Sequence, residues 1–203
     1  MNKDTVQPTV FMVDDDKDMR DSVCMLLESV GIACRMFSCA NDFLASCNPM
    51  QEGCLLLDVR MPGMSGMEML EMLKPKGILL PAILITGHGD VPMAVRALKH
   101  GAFDFIQKPF NPQELLDRVH AALKLDGENR RHFREIDRRR AHLAALTTRE
   151  MEVVDLIVAG HPSKVIAMKL GISPKTVDIH RANILRKLNV RTVAEIVQFR
   201  LAL

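Results

Sequence analysis

Five short apolar runs punctuate the first half of the chain, and each stops at polar or turn-forming residues. They are Thr9–Val13 before three aspartates, Ala33–Phe37, Leu55–Asp58 before a Pro62–Gly63 turn, Pro81–Ile85 before Thr86–Gly87–His88–Gly89, and Phe103–Gln107 before Lys108–Pro109. A brief continuous apolar run bounded by turn signals fits a strand buried on both faces. Between the runs, apolar residues recur at helical spacing. Met19, Val23, Leu26, Leu27 and Val30 precede Gly31, a helix from Asn41 breaks at Asn48–Pro49, and further helices fit Met67–Leu73 and Pro92–His100. Strands alternating with helices predict an α/β fold, a doubly wound five-stranded parallel sheet with helices on both faces. A fifth amphipathic helix, Pro112 to Leu125, starts with Asn111 as cap and proline at its first position.

The second half reads differently. Asp126 to Arg140 is highly charged and poor in large apolar residues, which suits either an exposed helix or a flexible linker. After it no strand pattern remains. Thr147–Thr148–Arg149–Glu150 has the form of a capping box and starts a helix ending at Gly160. A second helix spans Ser163 to Leu170 and closes at Gly171, Ser173–Pro174 caps a third over Lys175 to Leu188, and Thr192 starts a fourth. Two helices around a tight glycine turn form a helix-turn-helix pattern. The expected organisation is an α/β domain over 1–125, a charged linker over 126–142, and an all-α four-helix domain over 143–203 with its helix-turn-helix at about 163–188.

Charge follows the same division. Residues 1–123 hold 11 Lys+Arg against 16 Asp+Glu, and residues 141–203 hold 9 against 5, beneath a net charge of only +2. An acidic front and a basic back suggest different partners, the back one a polyanion. The polar start Met1–Asn2–Lys3–Asp4 has no apolar signal core, and the stretch from Gly77 to Ile85 is too short to span a bilayer, so a cytoplasmic protein without a membrane partner is expected. The five cysteines, Cys24, Cys34, Cys39, Cys47 and Cys54, show no CxxC spacing and read as reduced thiols packed as small hydrophobes.

In the predicted sheet Leu55–Asp58 is a central strand, so Asp58 lies at the carboxyl edge where such sheets bind ligands. Strands one and three are neighbours in this topology, which brings Asp14 and Asp15 toward Asp58. Carboxylates so crowded raise one another's pKa unless a hard cation compensates, and Mg2+ (or Mn2+) takes such oxygen ligands. Asp15 and Asp58 are the expected direct ligands, with Asp14 direct or through water and the Arg60 carbonyl beside them. Thr86 and Lys108 end the fourth and fifth strands with a hydroxyl and an ammonium. Together these groups describe a site for phosphoryl transfer onto Asp58. Any one of them is unremarkable at a strand end; their convergence carries the reading. Two enzyme or metal alternatives fail on residues: a haloacid-dehalogenase phosphatase motif would need Thr or Val at position 18, which is Asp, and an EF-hand loop from Asp14 would need glycine where Met19 stands.

These motifs resemble the receiver domain of bacterial response regulators. The matching stretches are Val13–Asp16, Leu57–Gly66, Ile85–Asp90 and Phe105–Phe110, and the likeness spans residues 9–123. It implies that Asp58 is phosphorylated by a sensor histidine kinase, that Thr86 moves to bond the phosphate, that Lys108 pairs with it, and that Phe105 turns inward as Thr86 moves. It also implies a cis Lys108–Pro109 peptide. Within the family the chain resembles the FixJ type, and more narrowly the StyR/TodT group of aromatic-degradation regulators.

The last domain resembles the LuxR-type (NarL/FixJ) DNA-binding domain in Leu146–Glu150, Gly160, Lys164–Ala167, Leu170–Ser173, Thr176–Ile184 and Lys187–Leu188, with Ser163 where asparagine is commoner. At 100° per residue Val177, Ile184 and Leu188 share a core stripe, whereas Lys175, Asp178, Ile179, Ala182, Asn183 and Arg186 point away from it, toward a major groove. The family's base-reading positions fall on Asp178, Ile179 and Ala182, none basic, so contact with thymine methyls and a cytosine amine is expected. Ser173, Lys164, Lys175, Thr176, Arg186 and Lys187 are candidates for the DNA backbone, though any single basic residue is equally a solvated charge. The function implied is a transcription factor, not an enzyme. Phosphate on Asp58 would shift a dimerisation or domain-release equilibrium so that a homodimer binds double-stranded promoter DNA and, with RNA polymerase as a further partner, activates transcription. The alternative is a constitutive DNA-binding protein whose receiver only docks other proteins.

Overall fold

The structure is a computed structural model and describes residues 7–87 and 91–201, so the His88–Gly89–Asp90 part of the fourth-strand motif and the Met1–Asp4 start lie outside the described residues. The strands are β1 (Thr9–Val13), β2 (Ala33–Phe37), β3 (Gly53–Asp58), β4 (Ala82–Thr86) and β5 (Asp104–Gln107). Alternating with them are α1 (Lys17–Ser29), α2 (Ala40–Ser46), α3 (Gly66–Leu73) and α4 (Val91–Lys99), followed by α5 (Pro112–Ala144). The sheet runs β2-β1-β3-β4-β5 with every pairing parallel. This is the expected doubly wound arrangement, with element ends shifted by one or two residues at most places.

Side chains alternate across a strand and both faces of this sheet are covered, which is why β3 is apolar up to Asp58. Phe11, Val13, Leu55, Leu57 and Leu84 pack on one face with Phe43 of α2 and Met69 and Leu73 of α3. Val10, Met12, Cys54, Leu56, Ile83 and Ile85 pack on the other with Leu27 of α1 and Leu115 and Val119 of α5. Each leucine so enclosed contributes roughly 2 kcal/mol of burial. Parallel strands put all their carboxyl ends on one edge, and there the chain turns polar.

Two glycines allow close backbone approaches that no other residue permits. A Cβ on Gly66, at the start of α3, would sit 2.2 Å from the Asp58 carbonyl oxygen. Gly53 opens β3 at φ +144°, and a Cβ there would lie 1.8 Å from the Thr9 carbonyl oxygen. The Gly53 N–H donates to Oδ2 of the buried Asp126 on α5 at 2.9 Å, which fixes the helix against the amino end of β3.

Two expectations need revision or resolution. The reduced state expected of all five thiols is corrected for Cys24 and Cys34, which form a disulfide between α1 and β2, leaving Cys39, Cys47 and Cys54 free. The α1–β2 connection folds back on itself, bringing their Cα atoms to 5.5 Å; a ten-residue separation gives no local signal of this. The charged stretch after Leu125, open between helix and flexible chain, is helical: α5 continues unbroken to Ala144.

The chain divides into two compact units, Met1–Asn129 and Arg130–Leu203. In the second, the end of α5 joins α6 (Thr148–Val158), α7 (Ser163–Leu170), α8 (Pro174–Leu188) and α9 (Val193–Leu201). Their core contains Leu143, Val153, Val154, Ile166, Val177, Ile184, Leu188 and Ile196. The capping box forms as expected, with Thr147 and Glu150 bonded reciprocally. Gly171 ends α7 at φ +65°, and Ser173 caps α8 through the Thr176 N–H.

Candidate functional site

Asp58 and Asp14 are both buried at the carboxyl edge, on adjoining strands. Lys108, two residues after Ile106 on β5, places Nζ between them, 2.7 Å from Asp58 Oδ1 and 2.8 Å from Asp14 Oδ2. The other oxygen of Asp58 accepts the Arg60 N–H at 2.6 Å. Arg20 of α1 donates to the Asp14 carbonyl at 2.6 Å and Asp16 N–H to Asp14 Oδ1 at 2.9 Å, holding that carboxylate in place. Thr86 is buried at the end of β4, one residue beyond the register partner of Asp58, and its carbonyl accepts the Lys108 N–H at 2.7 Å. The Lys108–Pro109 peptide is cis. Phe105 is half-buried and packs against the core on the Phe11 and Leu84 face.

Electrostatically the site is under-compensated, because one ammonium serves two carboxylates. Burial is the main reason the Asp58 carboxyl rises above its ordinary range; Lys108 and the Arg60 N–H oppose this and Asp14 adds to it. Burial alone would lower the lysine, yet its bonds to Asp14 and Asp58 outweigh that and its pKa rises, so Lys108 stays charged. Asp58 is therefore a desolvated carboxylate whose ion pair is shared.

The structure brings Asp14, Asp58 and Lys108 together and leaves Asp15 exposed. A cation was the expected compensation for crowded carboxylates; here Lys108 supplies part of it. Among the described residues no group of three or more His, Cys, Asp or Glu is arranged to hold a metal. The donors present are nonetheless hard oxygens only, two carboxylates plus backbone carbonyls, which is the chemistry Mg2+ takes. One negative charge of the pair is left over for it.

In the second unit, α8 shows the expected division. Val177, Ile184 and Leu188 are buried, while Lys175, Asp178, Ile179, Ala182 and Arg186 are exposed, Ile179 by 55%. Asn183 is half-buried and accepts from Arg186 Nη2 at 3.2 Å. Thr176 Oγ1 and Ser173 Oγ, at 2.8 Å, are bonded to each other in the cap. Lys164 on α7 is exposed. Lys187 turns the other way: its Nζ lies 2.6 Å from Oε2 of the buried Glu150, an inward ion pair that competes with any phosphate contact.

Sequence reasoning missed the roles of Arg20, Gly66 and Asp126. The expected convergence of Asp14 on Asp58 follows from the strand register. Val13 pairs with Leu57, so one step further sets Asp14 beside Asp58.

Comparison with known proteins agrees with both halves of this description. The response regulator receiver domain matches residues 10–120, and the luxR family of bacterial regulatory proteins matches residues 144–200. The transcriptional regulatory protein TdiR of Thauera aromatica is 44% identical over 94% of this chain and 84% of its own length. The transcriptional regulatory protein FixJ of Rhizobium meliloti is 41% identical over 96% of this chain and 95% of its own. A solved structure of the response regulator StyR is 45% identical, covers 97% of this chain and 100% of the StyR chain, and has a TM-score of 0.88. Receiver domains in general depend on a divalent metal such as Mg2+ and imply a sensor kinase as partner, and a luxR-type domain implies DNA binding. No helix among the described residues is long and apolar enough to cross a membrane.

Proposed function

The chain belongs to the response regulators that join a receiver domain to a LuxR-type DNA-binding domain, transcriptional regulators rather than enzymes, and from that premise we propose that its switch is phosphorylation of Asp58. The observation that carries the proposal is the shared ammonium: Lys108 holds Asp58 and Asp14 at 2.7 and 2.8 Å. A carboxylate desolvated to that degree, with only half of a lysine and one backbone N–H against it, is a competent nucleophile for phosphorus. The histidine kinase's phosphorus–nitrogen bond breaks as a bond forms to a carboxylate oxygen of Asp58, and the electron pair leaves with the kinase imidazole. Lys108, held charged, transfers its contact from the carboxylate to the new phosphoryl oxygens. Thr86, at the adjoining strand end, supplies a hydroxyl to a phosphoryl oxygen, and Phe105, half-buried two residues before Gln107, follows the space Thr86 vacates. Asp14, Asp15, Asp58 and the Arg60 carbonyl would hold Mg2+ (or Mn2+), which when bound neutralises charge on the phosphoryl oxygens.

The phosphorylated state then favours a homodimer, so that two copies of α8 meet paired half-sites in promoter DNA, and the complex activates transcription with RNA polymerase in the cytoplasm. Ile179 and Ala182 supply apolar contact to thymine methyls, and Asp178 accepts from a cytosine amine. Lys164, Ser173, Lys175, Thr176, Asn183 and Arg186 supply backbone contacts, with Lys187 the weakest candidate because it is engaged by Glu150.

The test is incubation with acetyl phosphate and Mg2+, followed by measurement of acid-labile phosphate and of mass by ultracentrifugation. The parent protein takes up one phosphate and roughly doubles in mass, while Asp58→Ala does neither. Equal incorporation by both proteins would sink the assignment of Asp58. Phosphate uptake without a change of mass would sink the dimer.

A further inference from the structure

The acidic and basic halves of the chain do not divide where the strands end but inside α5. The second unit, residues 130–203, holds 15 Lys+Arg against 7 Asp+Glu. Six of those 15 are arginines within residues 130–140, against two acidic residues, so half of the unit's excess positive charge sits on one stretch of helix ahead of the helix-turn-helix.

Part of this charge is already engaged, and Arg130, Arg131 and Arg134 each have an interaction of their own. Arg139 bonds Glu135 at 3.0 Å and lies over the Phe199 ring at 5.9 Å, and Arg140 is 3.6 Å from Asp137. Arg131, Arg134 and Arg138 are exposed and fall at i, i+3 and i+7, on one face of the helix over about 10 Å. Among the described residues Arg138 makes no ion pair. It lines a cavity of about 210 Å3 together with Leu188, Asn189 and Val190, the residues that end α8. Arg186, exposed in the last turn of α8, lies two residues before Leu188. Arg138, at the carboxyl end of this arginine face, thus adjoins the carboxyl end of the helix that reads DNA.

We infer that Arg131, Arg134 and Arg138 form an extension of the DNA interface that binds phosphates flanking the segment read by α8. The inference rests on the DNA-binding reading given above. Its physical basis is the linear charge of the duplex, one phosphate charge per roughly 1.7 Å of axis, against which a helix face about 10 Å long can set three guanidinium groups. Guanidinium is the side chain best suited to phosphate, through its rigid fork of donors. Phosphate contacts carry no sequence information, so this face adds affinity and leaves base preference to Asp178, Ile179 and Ala182.

The experiment uses the full chain and a long duplex of mixed sequence, where the phosphate contribution dominates, with dissociation constants measured across a series of salt concentrations. The expected result for Arg131→Gln/Arg134→Gln/Arg138→Gln is at least tenfold weaker binding at low salt and a salt dependence shallower by about 2 to 3 units in the log–log slope. Glutamine keeps helix propensity, and an unchanged far-UV circular dichroism spectrum excludes loss of the helix. Lys175→Gln on α8 is the control. If it weakens binding while the triple variant keeps the parent slope, the α5 face is only a solvated helix surface and the inference is overturned. If the parent itself shows no salt-dependent binding, the DNA-binding reading fails and takes this one with it. A triple variant that loses promoter activation but keeps the parent's DNA affinity and slope would mean that the face serves a protein such as RNA polymerase, which also overturns it.

Discussion

Each unit of the molecule contains a buried carboxylate met by a lysine, and the two are tuned in opposite directions. Glu150 has its Oε2 contacted by Lys187 Nζ at 2.6 Å, the Thr147 N–H at 2.7 Å and the Thr147 hydroxyl at 2.9 Å. Burial works against its charge, but Lys187 and Thr147 outweigh that and hold the carboxyl below its ordinary range. Asp58 has one lysine that it shares with Asp14, and burial wins, so its carboxyl lies above its ordinary range. A carboxylate and a lysine therefore make a structural clamp in one place and an unsettled charge in the other. An unsettled charge is what a switch needs, because a ligand that settles it gains differential free energy between two states. A satisfied pair offers no such lever.

The largest effect should come from removing each lysine in turn. Lys187→Met leaves Glu150 buried with only the Thr147 cap, and about 3 kcal/mol of the second unit's stability should be lost, the low end for breaking a buried pair because Lys187 is itself partly exposed. Lys108→Met should cost the first unit far less, about 1 kcal/mol, because Asp58 then simply takes up a proton. Amide exchange read separately over α6–α8 and over the sheet measures both. Equal losses in the two units would dissolve the contrast.

How much of this was legible in the sequence follows from whether the relevant interaction is local. The sheet was, because β3 is buried on both faces and its run of leucines has no other use. The Thr147–Glu150 box was, since both partners lie three residues apart. Asp58, Thr86 and Lys108 were, since each ends a strand. The bond of Lys187, a candidate for the DNA backbone, to Glu150 gave no sign in the sequence because the two lie 37 residues apart. Asp126 gave no sign of binding Gly53, 73 residues distant and on a different element. The Cys24–Cys34 bond likewise needs the α1–β2 connection to fold back before it exists. Asp14 was legible too, because β1 and β3 adjoin and their register sets it beside Asp58.

Neutral substitutions at the two carboxylates should sharpen the comparison with a smaller effect of opposite sign. Glu150→Gln keeps the shape and an acceptor for the cap but loses the ion pair, and should destabilise by roughly 1–2 kcal/mol. Asp58→Asn removes one of two like charges beside Lys108 and should stabilise, by up to about 1 kcal/mol. Urea unfolding of each variant in buffer free of divalent cations measures the two signs. A destabilised Asp58→Asn would show that Lys108 already satisfies both carboxylates.

The smallest effect is the pH dependence of those same differences. Glu150 has its folded pKa lowered from 4.5, so its ion pair stabilises fully above 4.5 and is lost as pH falls from there through the lowered value. Asp58 has its folded pKa raised from 3.8, so its charged form costs stability at neutral pH, and that cost is relieved as pH falls through the raised value toward 3.8. On acidification the stability gap between Asp58→Asn and the parent should therefore narrow as pH falls through the raised value toward 3.8, while the gap between Glu150→Gln and the parent closes from 4.5 down through the lowered value. The second gap should hold to about pH 4.5 and close only below it. Stability measured by urea unfolding at closely spaced pH values gives both curves. An Asp58→Asn gap that widens with acid would reverse the sign assigned to Asp58, and with it the claim that the phosphate acceptor is the unsettled member of the pair.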